Sequence, residues 1–70
     1  MNAVIQIIVN GLRENAPAAA TLAELIVRFD ESDPDLIVEH NGRFVFSQDY
    51  AAIRVAPDDR IEFIHPNFGG

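Results

Sequence analysis

The chain closes on Asn67-Phe68-Gly69-Gly70, and the carboxylate at that end is the group best suited to chemistry. Two glycines put no side chain beside it, so a partner enzyme could thread the end into a narrow channel and activate it. Fraying is the ordinary fate of such residues, so the pair gains meaning only from what stands before it. The other reactive types offer less. Cysteine is absent, which removes disulfides, thiolate metal ligands and a thiol nucleophile. His40 and His65 are the only histidines, and a metal would need further ligands converging on them. They read as surface or half-buried side chains, with His65 close enough to the tail to touch a partner. Asp30, Glu31, Asp33 and Asp35 superficially suggest a calcium loop, but the central glycine of such a loop is missing. The segment reads as a solvated loop ending a helix. Glu24 reads as a cap and Tyr50 as packing. No phosphate loop, dinucleotide fingerprint or nucleophile elbow occurs. A stand-alone enzyme is therefore disfavoured, and any ATP chemistry would come from a partner.

The charge balance narrows the partner. Eleven acids face five bases, a net charge of −6, and every base is an arginine: Arg13, Arg28, Arg43, Arg54 and Arg60. Nucleic acid would repel such a surface, whereas a basic protein would be steered toward it. With no lysine, the only amine is the N-terminus, so an activated terminal carboxyl would not acylate its own side chains. A chance gap in composition explains the same fact. Hydrophobic residues make up 49% of the 70, enough for a folded core and for one domain at most. The longest apolar run is too short for a bilayer, and Met1-Asn2 begins no basic signal region. The expectation is a cytoplasmic protein with no membrane contact.

The elements that must position the tail follow from local patterns. Val4 to Val9 is β-branched and apolar apart from Gln6, hence a strand. Asn10-Gly11 is a hairpin turn, since both residues tolerate positive φ, and the return strand runs from Leu12 to about Asn15. Ala16 to Ala20 reads as a connector, with Pro17 delaying the helix. Thr21-Leu22-Ala23-Glu24 is a capping box, after which Leu22, Leu25, Ile26 and Phe29 share one helical face. Asp30 to Asp35, with Pro34, stops that helix. Leu36 to Glu39 is a third strand, Asn41-Gly42 a second turn and Arg43 to Phe46 a fourth strand. Ser47 could cap a short helical turn carrying Tyr50. Ala56-Pro57-Asp58-Asp59 is a tight turn, and Arg60 to His65 a last strand ended by Pro66. One amphipathic helix across a small mixed sheet is an α+β solution to burying both apolar faces. The division expected is a domain over 1–66 and a flexible tail over 67–70.

The period of two assigns the sheet's faces. If Ile5, Ile7 and Val9 point inward, Val4 and Ile8 point outward; on the last strand Ile61 and Phe63 are inside and Ile64 outside. Were the first and last strands neighbours, Ile8 and Ile64 would form an exposed apolar patch leading to the tail, a common mark of an interaction site. Phe68 reads as an aromatic anchor for a partner pocket.

Taken in order, Asn10-Gly11, Thr21-Leu22-Ala23-Glu24-Leu25, Asn41-Gly42, Asp59-Arg60-Ile61-Glu62 and the final Gly69-Gly70 resemble the ThiS sulfur carriers, small ubiquitin-like β-grasp proteins, across essentially all seventy residues. The resemblance implies a mixed sheet of four to five strands on one main helix. It also implies that Gly70 is adenylated by a ThiF-like enzyme using ATP and then converted to a thiocarboxylate. That sulfur, drawn from a donor protein, would pass to a ThiG-like thiazole synthase for thiamin. On this view the chain is a co-substrate that holds no cofactor. Gly69 would ease entry to the catalytic channel, and Asn67, Phe68, Ile64 and Ile8 would meet partners. Two positions depart from the pattern: Asp58 stands where glycine is common, and Asn67-Phe68 where small or aliphatic residues precede the glycines. MoaD-like carriers for molybdopterin share the fold and the ending but tend to be longer. A protein modifier joined to lysines and a non-covalent binding module are the other readings open to the sequence.

Overall fold

The computed structural model describes residues 3–66. Among them, β1 (Val4–Val9), β2 (Leu12–Pro17), α1 (Leu22–Arg28), β3 (Ile37–His40), β4 (Arg43–Val45) and β5 (Arg60–Ile64) follow in chain order, with a single 3₁₀ turn at Ser47–Asp49. The strands form one five-stranded sheet in the order β2-β1-β5-β3-β4. The first and last strands pair in parallel at its centre, and the other pairings are antiparallel. This is the ubiquitin-like β-grasp arrangement.

Both Asn-Gly turns behave as their chemistry requires. Asn10 and Gly11 have φ of 49° and 82°, and Asn41 and Gly42 have 52° and 81°, the doubly positive geometry of a two-residue hairpin. The return strand runs further than the sequence suggests, because Ala16 is fully buried opposite Ile5 and Pro17 closes the ladder opposite Val4. A proline is tolerated there because β2 is an edge strand.

The helix is tied down at both ends. Thr21 Oγ1 accepts from the Glu24 amide at 3.1 Å, and Glu24 Oε1 accepts from the Thr21 amide at 2.7 Å. These two bonds make the capping box and hold the Glu24 carboxyl below its usual range, the Thr21 backbone bond contributing most. The next free amides, of Leu22 and Ala23, donate to the carbonyls of Ile53 and Tyr50. At the other end Asp30 takes φ 58°; its amide donates to Val27 and that of Glu31 donates to Ile26. That pair of bonds is a Schellman cap with aspartate in the left-handed position usually held by glycine. The short helical turn differs from expectation: Phe46 is its N-cap, with no side-chain bond, and Ser47 lies inside it.

The core lies between sheet and helix. Ile7, Val9, Ala16, Val38, Val45, Ile61 and Phe63 from the strands meet Leu22 and Leu25 of α1 and Val55. Ile26, Phe29 and Tyr50 pack against them, and partial burial pushes the Tyr50 phenol up. Truncating Leu25, which is wholly buried, should cost about 2–5 kcal/mol.

Candidate functional site

Of the residues singled out in the sequence, Asn67, Phe68, Gly69 and Gly70 lie outside the described residues. What is on view is the structure that leads to them, namely β5 and its surroundings.

The N-terminal end of β5 is held on both flanks. Toward β1, the Ile8 amide donates to Asp59 and the Asn10 amide to Ile61, each at 2.9 Å, while the Asp58 amide donates to Gln6 at 2.8 Å. Toward β3, Arg60 and Asn41 exchange two bonds of 2.8 Å, one through the Asn41 side chain. Asp59 ties these together: its carboxylate accepts from the Ala56 amide (2.8 Å), from Asn41 Nδ2 (3.1 Å) and from His40 Nε2 (2.8 Å). Desolvation raises the Asp59 carboxyl, but the bonds from His40, Ala56 and Asn41 outweigh it and hold it below its ordinary value. His40 is thereby a structural partner of this turn.

The C-terminal end is held differently. Beyond Val9 there is no β1 strand left, and the Phe63 amide donates instead to Asn10 Oδ1 at 2.7 Å. Ile64 pairs only with Ile37 of β3. The next residue, His65, reaches across to the loop after α1, with Nε2 2.8 Å from Glu31 Oε1 and Nδ1 3.1 Å from Asp33 Oδ2. The Schellman cap places Glu31. Asp33 is braced by the Asp35 amide, which donates to its other oxygen at 2.9 Å. Two carboxylates of the acidic segment are thus turned onto the imidazole. Among the described residues no group of three suitable side chains is placed to hold a metal.

The outer face of the sheet carries the second component. The inward and outward assignments of β1 and β5 hold: Ile7, Val9, Ile61 and Phe63 are buried and Val4 is exposed. The register does not bring Ile8 to Ile64, however. Ile8 stands opposite Arg60 and Arg13, so Ile64 is four residues, about 13 Å, further along. Ile64 instead lies opposite Ile37, and continuing the β3–β4 register places Phe46 on the far side of Ile37. Phe44 joins them, its ring edge-on to Phe46 with centroids 4.9 Å apart. These rings are 56% and 59% exposed, much for a residue type that normally supplies core. Beside Phe44, Glu39 and Glu62 stand directly opposite each other; like charges in that position weaken a sheet. The outer face of the sheet thus carries an apolar cluster edged by two acids. The sequence reading missed Phe44 and Phe46 because it treated Arg43 to Phe46 only as a strand; the alternation Phe44, Phe46 was the available signal.

The ThiS family model matches residues 1–70. Among solved structures, the chain is similar to the thiamine biosynthesis protein (ThiS) from Geobacter metallireducens: identity is 23%, the TM-score is 0.83, and the match covers 94% of this chain and 100% of that one. At that identity the likeness speaks for the fold. No curated protein matches the sequence.

Proposed function

This chain belongs to the ThiS family, and from that premise we propose that it is a sulfur carrier in thiamin biosynthesis, with the Gly70 carboxyl as the reacting group. The supporting observation is that the family match runs through to the final Gly69-Gly70, behind a sheet whose central strand leads into that end. A carboxylate is a poor electrophile until one oxygen becomes a leaving group. Adenylation by a ThiF-like enzyme, with release of pyrophosphate from ATP, makes AMP that leaving group. A sulfur donor then replaces it, and the thiocarboxylate passes its sulfur to a ThiG-like synthase. The chain's own residues do no bond-making beyond Gly70. The β-grasp body presents the end, and the Ile37, Ile64, Phe44 and Phe46 cluster with Glu39 and Glu62 docks on the partner. Phe68 and Asn67 meet the mouth of the partner's channel, and catalysis belongs to the partners. Among the described residues no helix is long and apolar enough to cross a membrane; the reading places the protein in the cytoplasm with those enzymes.

The test is intact mass after incubation with the cognate activating enzyme, ATP and a sulfur donor. The expected result is a gain of about 16 Da, one oxygen exchanged for sulfur. An unchanged mass with the cognate enzyme overturns the reading.

A further inference from the structure

The two acids that face His65 constrain its protonation. An ionised carboxylate only accepts hydrogen bonds, and a neutral imidazole has one N–H to give. With Nε2 at 2.8 Å from Glu31 and Nδ1 at 3.1 Å from Asp33, both contacts are satisfied together only by the imidazolium. This cation sits where the chain leaves β5. Ile64 is the last paired residue, and Pro66 follows, with its φ fixed near −65° and the residue before it confined to extended backbone. Three constraints therefore meet at residues 64–66: a ladder on one flank, a proline ahead, and a two-pronged ion pair from the side.

We propose that His65 is a positioning residue for the terminal carboxylate: held between Glu31 and Asp33, it fixes the direction in which the chain leaves β5 toward Gly70. The inference rests on the reading of Gly70 as the reacting group. Four residues, Pro66 to Gly69, separate His65 from Gly70, a contour of at most about 18 Å, so the direction set at residues 64–66 bounds the region in which the carboxylate is offered to a partner. Presentation of a reacting group in the right geometry is worth rate, and misplacement by an ångström is costly.

The device is sensitive to pH. The hydrogen bond to Asp33, with the charges of Glu31 and Asp33, outweighs desolvation and raises the His65 pKa. The bonds from the Asp35 amide and from His65 lower that of Asp33. A raised histidine keeps its contribution below the unfolded value and loses it as pH climbs through the folded one. The root is accordingly held below the ordinary imidazole value and released as pH climbs past the raised one. The charged groups facing the imidazole are Glu31 and Asp33, with Asp35 behind the latter. From β3 the continued register places apolar Leu36 opposite it.

The experiment measures kcat and KM for adenylation of the carrier by its cognate activating enzyme, between about pH 6 and about pH 9. It compares the wild type with His65→Gln, the double variant Glu31→Gln with Asp33→Asn, and His65→Arg, each rate taken relative to wild type at the same pH to cancel the enzyme's own titrations. His65→Gln and the double variant should lose about two- to fivefold in kcat on the acid side, with KM little changed, and the gap should close on the alkaline side. His65→Arg, permanently charged, should match wild type at acid pH and exceed it at alkaline pH. A second arm uses the free protein: the amide resonances of Asn67 to Gly70 should follow the His65 titration in the wild type and cease to follow it in the double variant. If the wild type is not adenylated at all, the functional reading fails and the resonance arm still decides the direction-setting. If it is adenylated but His65→Gln equals it at every pH, or the tail amides ignore the titration, the positioning role is overturned.

Discussion

The two ends of β5 each carry a histidine against carboxylate, and the pairs do opposite work. At the N-terminal end, His40 is one of three donors to Asp59 in a turn already bonded to both neighbouring strands. Removing any one donor leaves the others. At the C-terminal end, the Asn10 side chain accepts from the Phe63 amide, and past Ile64 the exit is held by His65 against two acids on a loop. Redundancy marks the end that must stay put, and one histidine shared between two acids marks the end that, on the proposed reading, delivers the reacting group. Rigidity and presentation are thus divided along one five-residue strand.

The sharpest break in that comparison is deletion of Gly70. The thiocarboxylate mass gain should vanish entirely while the thermal melting curve stays where it was, because the core described is built between Ile7 and Phe63. A melting temperature lowered along with the lost product would show that the two ends are not separable. Next in size is Asp59→Ala, which orphans three donors and should cost about 2–3 kcal/mol in denaturant unfolding. The same residue has a pH signature. Its native pKa is depressed, so its contribution is present above the unfolded value near 4 and is lost as pH falls through the lower native value. Stability should therefore drop on acidification, and Asp59→Asn should flatten that slope. A third test replaces Phe44 and Phe46 together by alanine. Both rings are largely exposed, so stability should shift by less than about 1 kcal/mol, whereas affinity for the activating enzyme, measured by calorimetry, should weaken by about 1–3 kcal/mol if these rings anchor the interface. Equal affinity would remove the sheet face from the docking surface. The smallest effect is expected at Asp58, which adopts a left-handed φ of 69°. Asp58→Gly relieves a left-handed residue but loses the exposed bond to Arg13 at 3.3 Å, and should stabilise the N-terminal end of β5 by up to about 1 kcal/mol.

Much of this architecture is local and hence legible in the sequence. The Asn-Gly turns, the Thr21–Glu24 box and the inward faces of β1 and β5 all rest on contacts within a few residues, or on a period of two. The misread parts depend on distant neighbours. Ala16 and Pro17 join β2 because Val4 and Ile5 lie alongside, which no property of an Ala-Pro-Ala stretch reveals. Ile8 and Ile64 fail to meet because the parallel register sets Ile8 against Arg60, and register is not written in composition. His65 finds Glu31 and Asp33 only after the helix cap has turned the loop toward the sheet, a meeting across more than thirty residues.

The parallel pairing of β1 with β5 also bears on when the protein can be made whole. The central strand of the sheet is the last in chain order among the described residues, so the other four strands must be made before the sheet can close. Until then the β1–β2 and β3–β4 hairpins have no strand between them to join their ladders, and such long-range closure is slow. A truncated product that stops short of β5 therefore lacks both a closed sheet and, on the proposed reading, a reacting end. A partner that recognises the closed sheet therefore also selects for chains that carry β5 and, on the proposed reading, the end it leads to.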